Sequence, residues 1–305
     1  MFVFIAQYNK FLYDMIDGDR MYQQKVWRSS NRIEHSVYWK GKYGAKGEKR
    51  AKKQKVTPEQ IKRQNQINRI NTLARTISLN FYPNDYWTCL KYRAGTRKSI
   101  EDVKKDFRLF RDRMSREYKK RGEEFKYIYR IELGKRGGIH IHILFNRIWG
   151  ADLLCQGNWP GELCNFEPLR EKGDYKQLAS YICKPLPEDP EEEQLSMFEN
   201  LKDKEYKSVL KLGTSRNLER PKPEVKKYFR RTVRKLLVEG PKAAAGYYID
   251  KESVKIGVNP YTGMSYMYYT ELAIIPVTRC IRMPIEPVAE GKRRKNARRK
   301  KNDNT

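Results

Sequence analysis

Two of the chain's three histidines stand one residue apart in Ile139-His140-Ile141-His142-Ile143. On an extended segment side chains alternate between faces, so both imidazoles point the same way. Such a pair can share one ion, although strand histidines also serve in ordinary packing and hydrogen bonding. A nearby carboxylate sharpens the choice. Tyr127 to Leu133 and Ile139 to Phe145 read as strands, and Gly134-Lys135-Arg136-Gly137-Gly138 between them is long enough only for a hairpin turn. A hairpin centred near Arg136 pairs residue 132 with residue 140 and sets Glu132 beside both histidines. Two imidazoles and a carboxylate suit a divalent ion that keeps open positions for substrate oxygens. The competing expectation is an ordinary ion pair of Glu132 with Arg130 or Lys135, and a slip of one residue would turn the carboxylate to the other face.

A nucleophile is available further along. Asp174 to Lys184 reads as a helix with Leu178, Ala179 and Ile182 apolar, stopped by Pro185. Tyr181 and Lys184, three apart, are neighbours on its surface. A phenol with a reference pKa near 10 attacks phosphate poorly while protonated, so it needs a base, a cation or a polarised electrophile. Lys184 can lower that pKa or supply a proton to a leaving oxygen. Tyr175 is a second phenol, but six helical residues turn it about 120° away. Gln177 shares the face of Tyr181 and can reach a phosphate; Lys135 and Arg136 in the hairpin turn can grip a nucleic-acid backbone. His35, in a polar segment without visible partners, is expected at the surface.

The elements that must carry these residues are partly visible. Thr57-Pro58-Glu59-Gln60 caps and opens a helix continued by Ile61, Ile67, Ile70 and Leu73 to Ile77. Tyr86 to Tyr92 is an aromatic strand. Ser99 caps a charged helix through about Lys120, with Val103, Phe107, Phe110 and Met114 on one face. Another helix is expected from Pro223 to Glu239. Strands follow between Gly246 and Ile275, with a tight turn at Pro260 to Gly263. Pro185 to Glu193 reads as a linker, and Gly291 to Lys301 as a disordered basic tail.

The 305 residues include 65 Lys and Arg against 37 Asp and Glu, a formal net charge of +28. Charge of that size repels itself unless a polyanion shares it, which points to nucleic acid. No stretch approaches the roughly 20 apolar residues of a membrane span, so no membrane partner is expected. Gln7, Asn9 and Lys10 interrupt the apolar start, and no export signal is read there. Five cysteines, none in a CxxC pair, speak against a disulfide framework or structural zinc and for a reducing cytoplasm. There is no GxxxxGK[ST] phosphate loop, hence no helicase motor of its own.

An aromatic strand, then Glu132 with Gly137-Gly138-Ile139-His140-Ile141-His142, then Tyr181-Ile182-Cys183-Lys184 resemble, in that order, the three motifs of the HUH endonucleases that initiate rolling-circle replication. The likeness is closest to the single-tyrosine initiators of bacterial plasmids, phages and integrated elements, where a segment like Ser215-Arg216-Asn217-Leu218 with Pro221 often follows; it covers roughly Phe81 to Pro221. It implies an α+β fold: a central antiparallel sheet of about five strands with helices on one face and the histidines on a middle strand. It implies Mg²⁺ or Mn²⁺ held by His140, His142 and Glu132. Tyr181 would form a 5′-phosphotyrosine on single-stranded or hairpin origin DNA, with a host helicase and DNA polymerase as partners in a bacterial cytoplasm. The expected organisation is a basic arm and helix over 1–80, the endonuclease domain over 81–240, a β-rich segment over 241–290 and the tail over 291–305. Two other readings stay open. One is an HUH relaxase or transposase. The other is a non-catalytic nucleic-acid-binding protein that stacks bases on Tyr86, Trp87, Tyr92, Tyr127 and Tyr129.

Overall fold

The computed structural model describes residues 22–41, 57–133, 138–170, 175–184, 212–259 and 263–282. In chain order its first half comprises β1 (Tyr22–Arg28), β2 (Arg32–Trp39), α1 (Pro58–Asn80), β3 (Tyr86–Lys91), α2 (Ile100–Lys120), β4 (Tyr127–Leu133) and β5 (Ile139–Phe145). Then come α3 (Ala151–Asn158), β6 (Leu163–Pro168), α4 (Lys176–Ile182), β7 (Gly213–Thr214), β8 (Glu224–Tyr228), α5 (Arg230–Glu239), β9 (Tyr247–Ile249), β10 (Lys255–Val258) and β11 (Ser265–Ala273). The fold is α+β, with two antiparallel sheets.

The first sheet runs β6-β3-β5-β4-β7 and puts the histidine strand in the middle. Alternation gives it two different faces. Leu90, Ile131, Ile141, Ile143 and Phe145 pack beneath α2 and α3, where Val103, Phe107, Phe110 and Met114 form the buried stripe of α2. Ser99 caps that helix by accepting from the Asp102 amide at 3.1 Å. On the other face Ile128 and Leu144 meet Leu73, Ala74 and Ile77 of α1 and Ala179 and Ile182 of α4. Thus α2 and α3 cover one face as expected, and α1 and α4 additionally cover part of the other. Thr57 and Gln60 close a capping box at the start of α1, whose buried residues begin only at Leu73.

Asp85 fixes the entry to β3. Its carboxylate, wholly buried, pairs with Arg279 at 2.9 and 3.0 Å and accepts the amides of Tyr82 and Arg147 at 2.9 and 2.8 Å.

The second sheet was not legible in the sequence. It runs β10-β11-β2-β1-β8, with β9 on the far part of β11. Residues 22–39, expected within a basic arm, form its central hairpin, and α5 packs Val233, Leu236 and Leu237 against Tyr22, Val37 and Met267. The expected helix from Pro223 to Glu239 divides: Glu224–Tyr228 is drawn into an edge strand by pairing with β1, and helix begins at Arg230. His35 is buried, correcting its expected surface position. Gln24 donates to its Nδ1 at 2.9 Å, Tyr269 stacks on its ring at 4.3 Å, and Glu271 Oε1 lies 2.7 Å from its Nε2. The β9 to β11 strands match the expectation for 246–275; residues 260–262 of the turn, the linker and the tail lie outside the described residues.

Two outcomes test this packing. Asp85→Ala strands a buried guanidinium and two amides and lowers unfolding stability by about 3–5 kcal/mol in a denaturant titration; Asp85→Asn costs less because it keeps an acceptor. Burial holds the pKa of His35 below 6.5 against the pull of Glu271. The unfolded chain therefore binds a proton that the folded one resists, and stability drops as pH falls below 6.5. Urea midpoints at neutral and mildly acidic pH should separate more for the wild type than for His35→Gln.

Candidate active site

β4 and β5 pair in the register that the hairpin dictates, Glu132 opposite His140 and Arg130 opposite His142. Glu132 Oε2 lies 3.6 Å from His140 Nε2 and 3.4 Å from His142 Nε2. Its other oxygen faces Arg130 Nε at 3.1 Å. Both competing expectations for Glu132 are thus realised at once, one on each oxygen.

The short helix α4 delivers Tyr181 to the same point. Its hydroxyl is 3.1 Å from Glu132 Oε2, to which it donates, and 3.1 Å from His142 Nε2. The phenol is 44% exposed, so a substrate can reach it. Trp87 on β3 stacks on His142 at 5.2 Å, nearly parallel, and meets the Tyr181 ring edge-on at 6.2 Å. It holds imidazole and phenol at a right angle to each other, 5.4 Å apart.

Arg130 ties the helix to the strand. One guanidinium nitrogen donates to the carbonyls of Tyr181, Ile182 and Lys184 at 3.3, 2.8 and 2.8 Å, which satisfies the open end of α4 and places a cation at its negative pole. Gln66 of α1 adds a hydrogen bond to the Cys183 carbonyl at 2.6 Å. The sequence signal for Arg130 was its i−2 position to Glu132, which puts both on the site's face of β4.

Burial pushes the Tyr181 hydroxyl up to about 12, and the charge of Glu132 and its acceptor oxygen add to the effect. Burial would also raise Glu132, but hydrogen bonds from His140 and His142 and the charge of Arg130 outweigh it and hold the carboxyl far below its usual range. Glu132 is therefore an anion and Tyr181 a neutral phenol that needs help to ionise. Cys89, across from His142 on β3, brings its sulphur within 4.8 Å of ring nitrogens of both histidines. Its thiol is pushed by burial up to about 11. No CxxC pattern marks it in the sequence, and only the β3–β5 register reveals it.

The remaining expected residues divide. Lys184 follows the end of α4 at Ile182, earlier than the helix end expected from Pro185; its side chain is exposed, and it is its carbonyl that Arg130 draws in. Gln177 is exposed on α4, one turn before Tyr181. Tyr175 is buried in the core between α1 and α4. Lys135 and Arg136 lie outside the described residues. Of the five rings considered as stacking platforms, Tyr86, Tyr92, Tyr127 and Tyr129 pack against the core under α2 and only Trp87 faces the site. That disfavours the non-catalytic base-stacking sheet.

Residues 85–186 match the sequence profile of a family described as Replication-associated protein ORF2. The matched stretch begins at Asp85 and contains every residue of the cluster just described except Gln66, and it supports kinship with the replication initiator (Rep) proteins. No curated protein and no solved structure is significantly similar to the chain. Among the described residues no helix is long and apolar enough to cross a membrane.

Arg130→Ala leaves Glu132 and three carbonyls without their partner. It should lower stability by about 3 kcal/mol and raise amide hydrogen exchange in α4 while α2 stays protected. Arg130→Lys, which keeps the charge but not the planar fork, should fall between. Equal exchange in α4 for all three proteins would refute the tie.

Proposed function

We propose that the protein is a rolling-circle replication initiator of the HUH type, in which Tyr181 cleaves one strand of single-stranded or hairpin origin DNA and stays joined to the 5′ phosphate. The observation that carries this reading is the convergence of Tyr181 Oη on Glu132 and His142 at 3.1 Å, beside His140, within a segment akin to Rep proteins. The charge of +28 fits a polyanionic substrate.

His140, His142 and Glu132 fit a Mg²⁺ or Mn²⁺ ion. Bonds of about 2.1 Å place neighbouring donors around an octahedral ion roughly 3 Å apart, near the 3.4 and 3.6 Å separations here. The protonated thiol of Cys89 suits a hard ion less well than the carboxylate does. When bound, such an ion draws electron density from the scissile phosphate.

The chain's own groups supply the rest. Arg130 and Trp87 fix the phenol and the imidazole before substrate arrives, so little reorganisation is left for the reaction. The Tyr181 oxygen bonds to phosphorus as the bond to the 3′ oxygen breaks. The phenol proton passes to Glu132 Oε2 or His142 Nε2, its two nearest acceptors, and the departing 3′ oxygen takes a proton from Lys184 or solvent. The free 3′-OH can be extended by a host polymerase, with strands opened by a host helicase. Attack of a 3′-OH on the phosphotyrosine reverses the step without ATP, because the phosphodiester energy is retained.

Incubated with single-stranded DNA from its own flanking region and Mn²⁺, the wild type should give a covalent adduct on a denaturing gel. Tyr181→Phe should abolish it and a chelator should prevent it. An adduct that survives in Tyr181→Phe, or tight binding by the wild type with no adduct, overturns the assignment.

A further inference from the structure

The second sheet turns one face to α5 and the other to a groove that the cleavage chemistry leaves unused. Across that open face the strand registers align Lys25, Ser36, Tyr268 and Lys255 in one transverse row over β1, β2, β11 and β10. Tyr38 sits beside it, with the Lys25 ammonium 5.4 Å from its ring centre. Gln64, Asn68 and Asn71 of α1 form the opposite wall, and the space between measures about 920 Å³.

Tyr268 is held out as a platform. It is 41% exposed, and its ring leans on Tyr266 at 5.2 Å. Tyr266 in turn lies over Gly257, where a Cβ would stand 2.6 Å from its hydroxyl; only a glycine lets the ring lie there.

We infer that this groove is a second nucleic-acid site, which takes unpaired bases of the strand that Tyr181 cleaves. Aromatic faces stack on bases of any sequence, and only unpaired bases leave a face free for them. The amides of Gln64, Asn68 and Asn71 recur at helical spacing along one side of α1, where they can bond to base edges. Lys25 and Lys255 flank the platform at the distance of the neighbouring strands and meet the phosphates on either side. Asp250 and Glu252 at the far rim repel the backbone and steer it toward Lys25 and Lys176.

The groove leads to the cleavage site. Lys176, which lines it, opens α4, and Tyr181 follows five residues later, about 7.5 Å along a helix axis. α1 is a wall of the groove and, through Gln66, a brace of the Cys183 carbonyl. A strand lying against Tyr268 thus continues past Lys176 to the phenol. The inference rests on the reading of Tyr181 as the cleaving group for the direction of that path, but not for the binding itself.

The test is a fluorescence-anisotropy titration of the full chain with labelled oligothymidine in chelator, where no cleavage enters the readout. Tyr268→Ala should weaken binding about tenfold or more, and Tyr268→Phe should bind like the wild type. Lys25→Ala with Lys255→Ala should flatten the dependence on salt by roughly one unit of slope or more. Thermal melting identifies any variant that has merely unfolded, and Tyr38→Ala then stands in for it. Unchanged affinity in both tyrosine-to-alanine variants overturns the inference. So does tighter, Tyr268-dependent binding of an oligothymidine–oligoadenine duplex, which would make the groove a site for paired DNA. Tyr268-dependent binding together with failure of adduct formation would sink the cleavage reading and leave the groove standing.

Discussion

The site depends on the antiparallel register of β4 and β5. Because the side-chain period of a strand is two, this single alignment decides whether Glu132 and the histidines share a face. The same alignment sends Ile131, Ile141 and Ile143 into the core beneath α2, so the register is held by apolar burial on the opposite side of the sheet. A slip that dispersed the polar cluster would also bring these isoleucines into water. Each fully exposed large aliphatic side chain costs about 1.5–3 kcal/mol, far more than the polar contacts on the other face contribute. The hydrophobic effect thus enforces a geometry in which it takes no direct part.

How much was legible follows from where the determining contacts lie. Residues whose partners are near in the chain could be read directly. Thr57 and Gln60 closed their capping box, Ser99 capped α2, and the hairpin placed Glu132 against His140. The proximity of Tyr181 came from the order of motifs and not from any local rule, since its contact with His142 spans 39 residues. The second sheet escaped notice because its inner positions include polar groups. Gln24 and His35 are buried only because Tyr228, Tyr269 and Glu271, some two hundred residues later, supply their partners. A strand whose inner face is polar lacks the alternation that marks one. Glu224–Tyr228 fails for the complementary reason: helix-compatible residues were captured by the free edge of β1.

The two sheets communicate through α1. Its C-terminal half is buried against the first sheet, while Arg75 pairs with Glu34 of β2 and lies 3.6 Å from the centre of the Trp27 ring. The polar N-terminal half is then free of packing duties, which explains a long helix whose outer turns carry amides and cations. Charge and apolar surface are distributed along its length instead of around its circumference.

Asp85 has a consequence for the boundaries of the functional unit. The family-matched stretch of 85–186 opens on this buried carboxylate, yet the guanidinium that neutralises it comes from Arg279, and the outer edge of β4 is covered by Gly213 and Thr214. The layer that supports Tyr181 likewise draws Leu73 and Ile77 from upstream. Excised alone, the stretch would carry an uncompensated anion in its interior and an unprotected strand edge open to association with other chains. The inherited catalytic segment is therefore not an autonomous module, and any change that lengthens or re-sorts the flanking regions in evolution has to preserve that distant arginine.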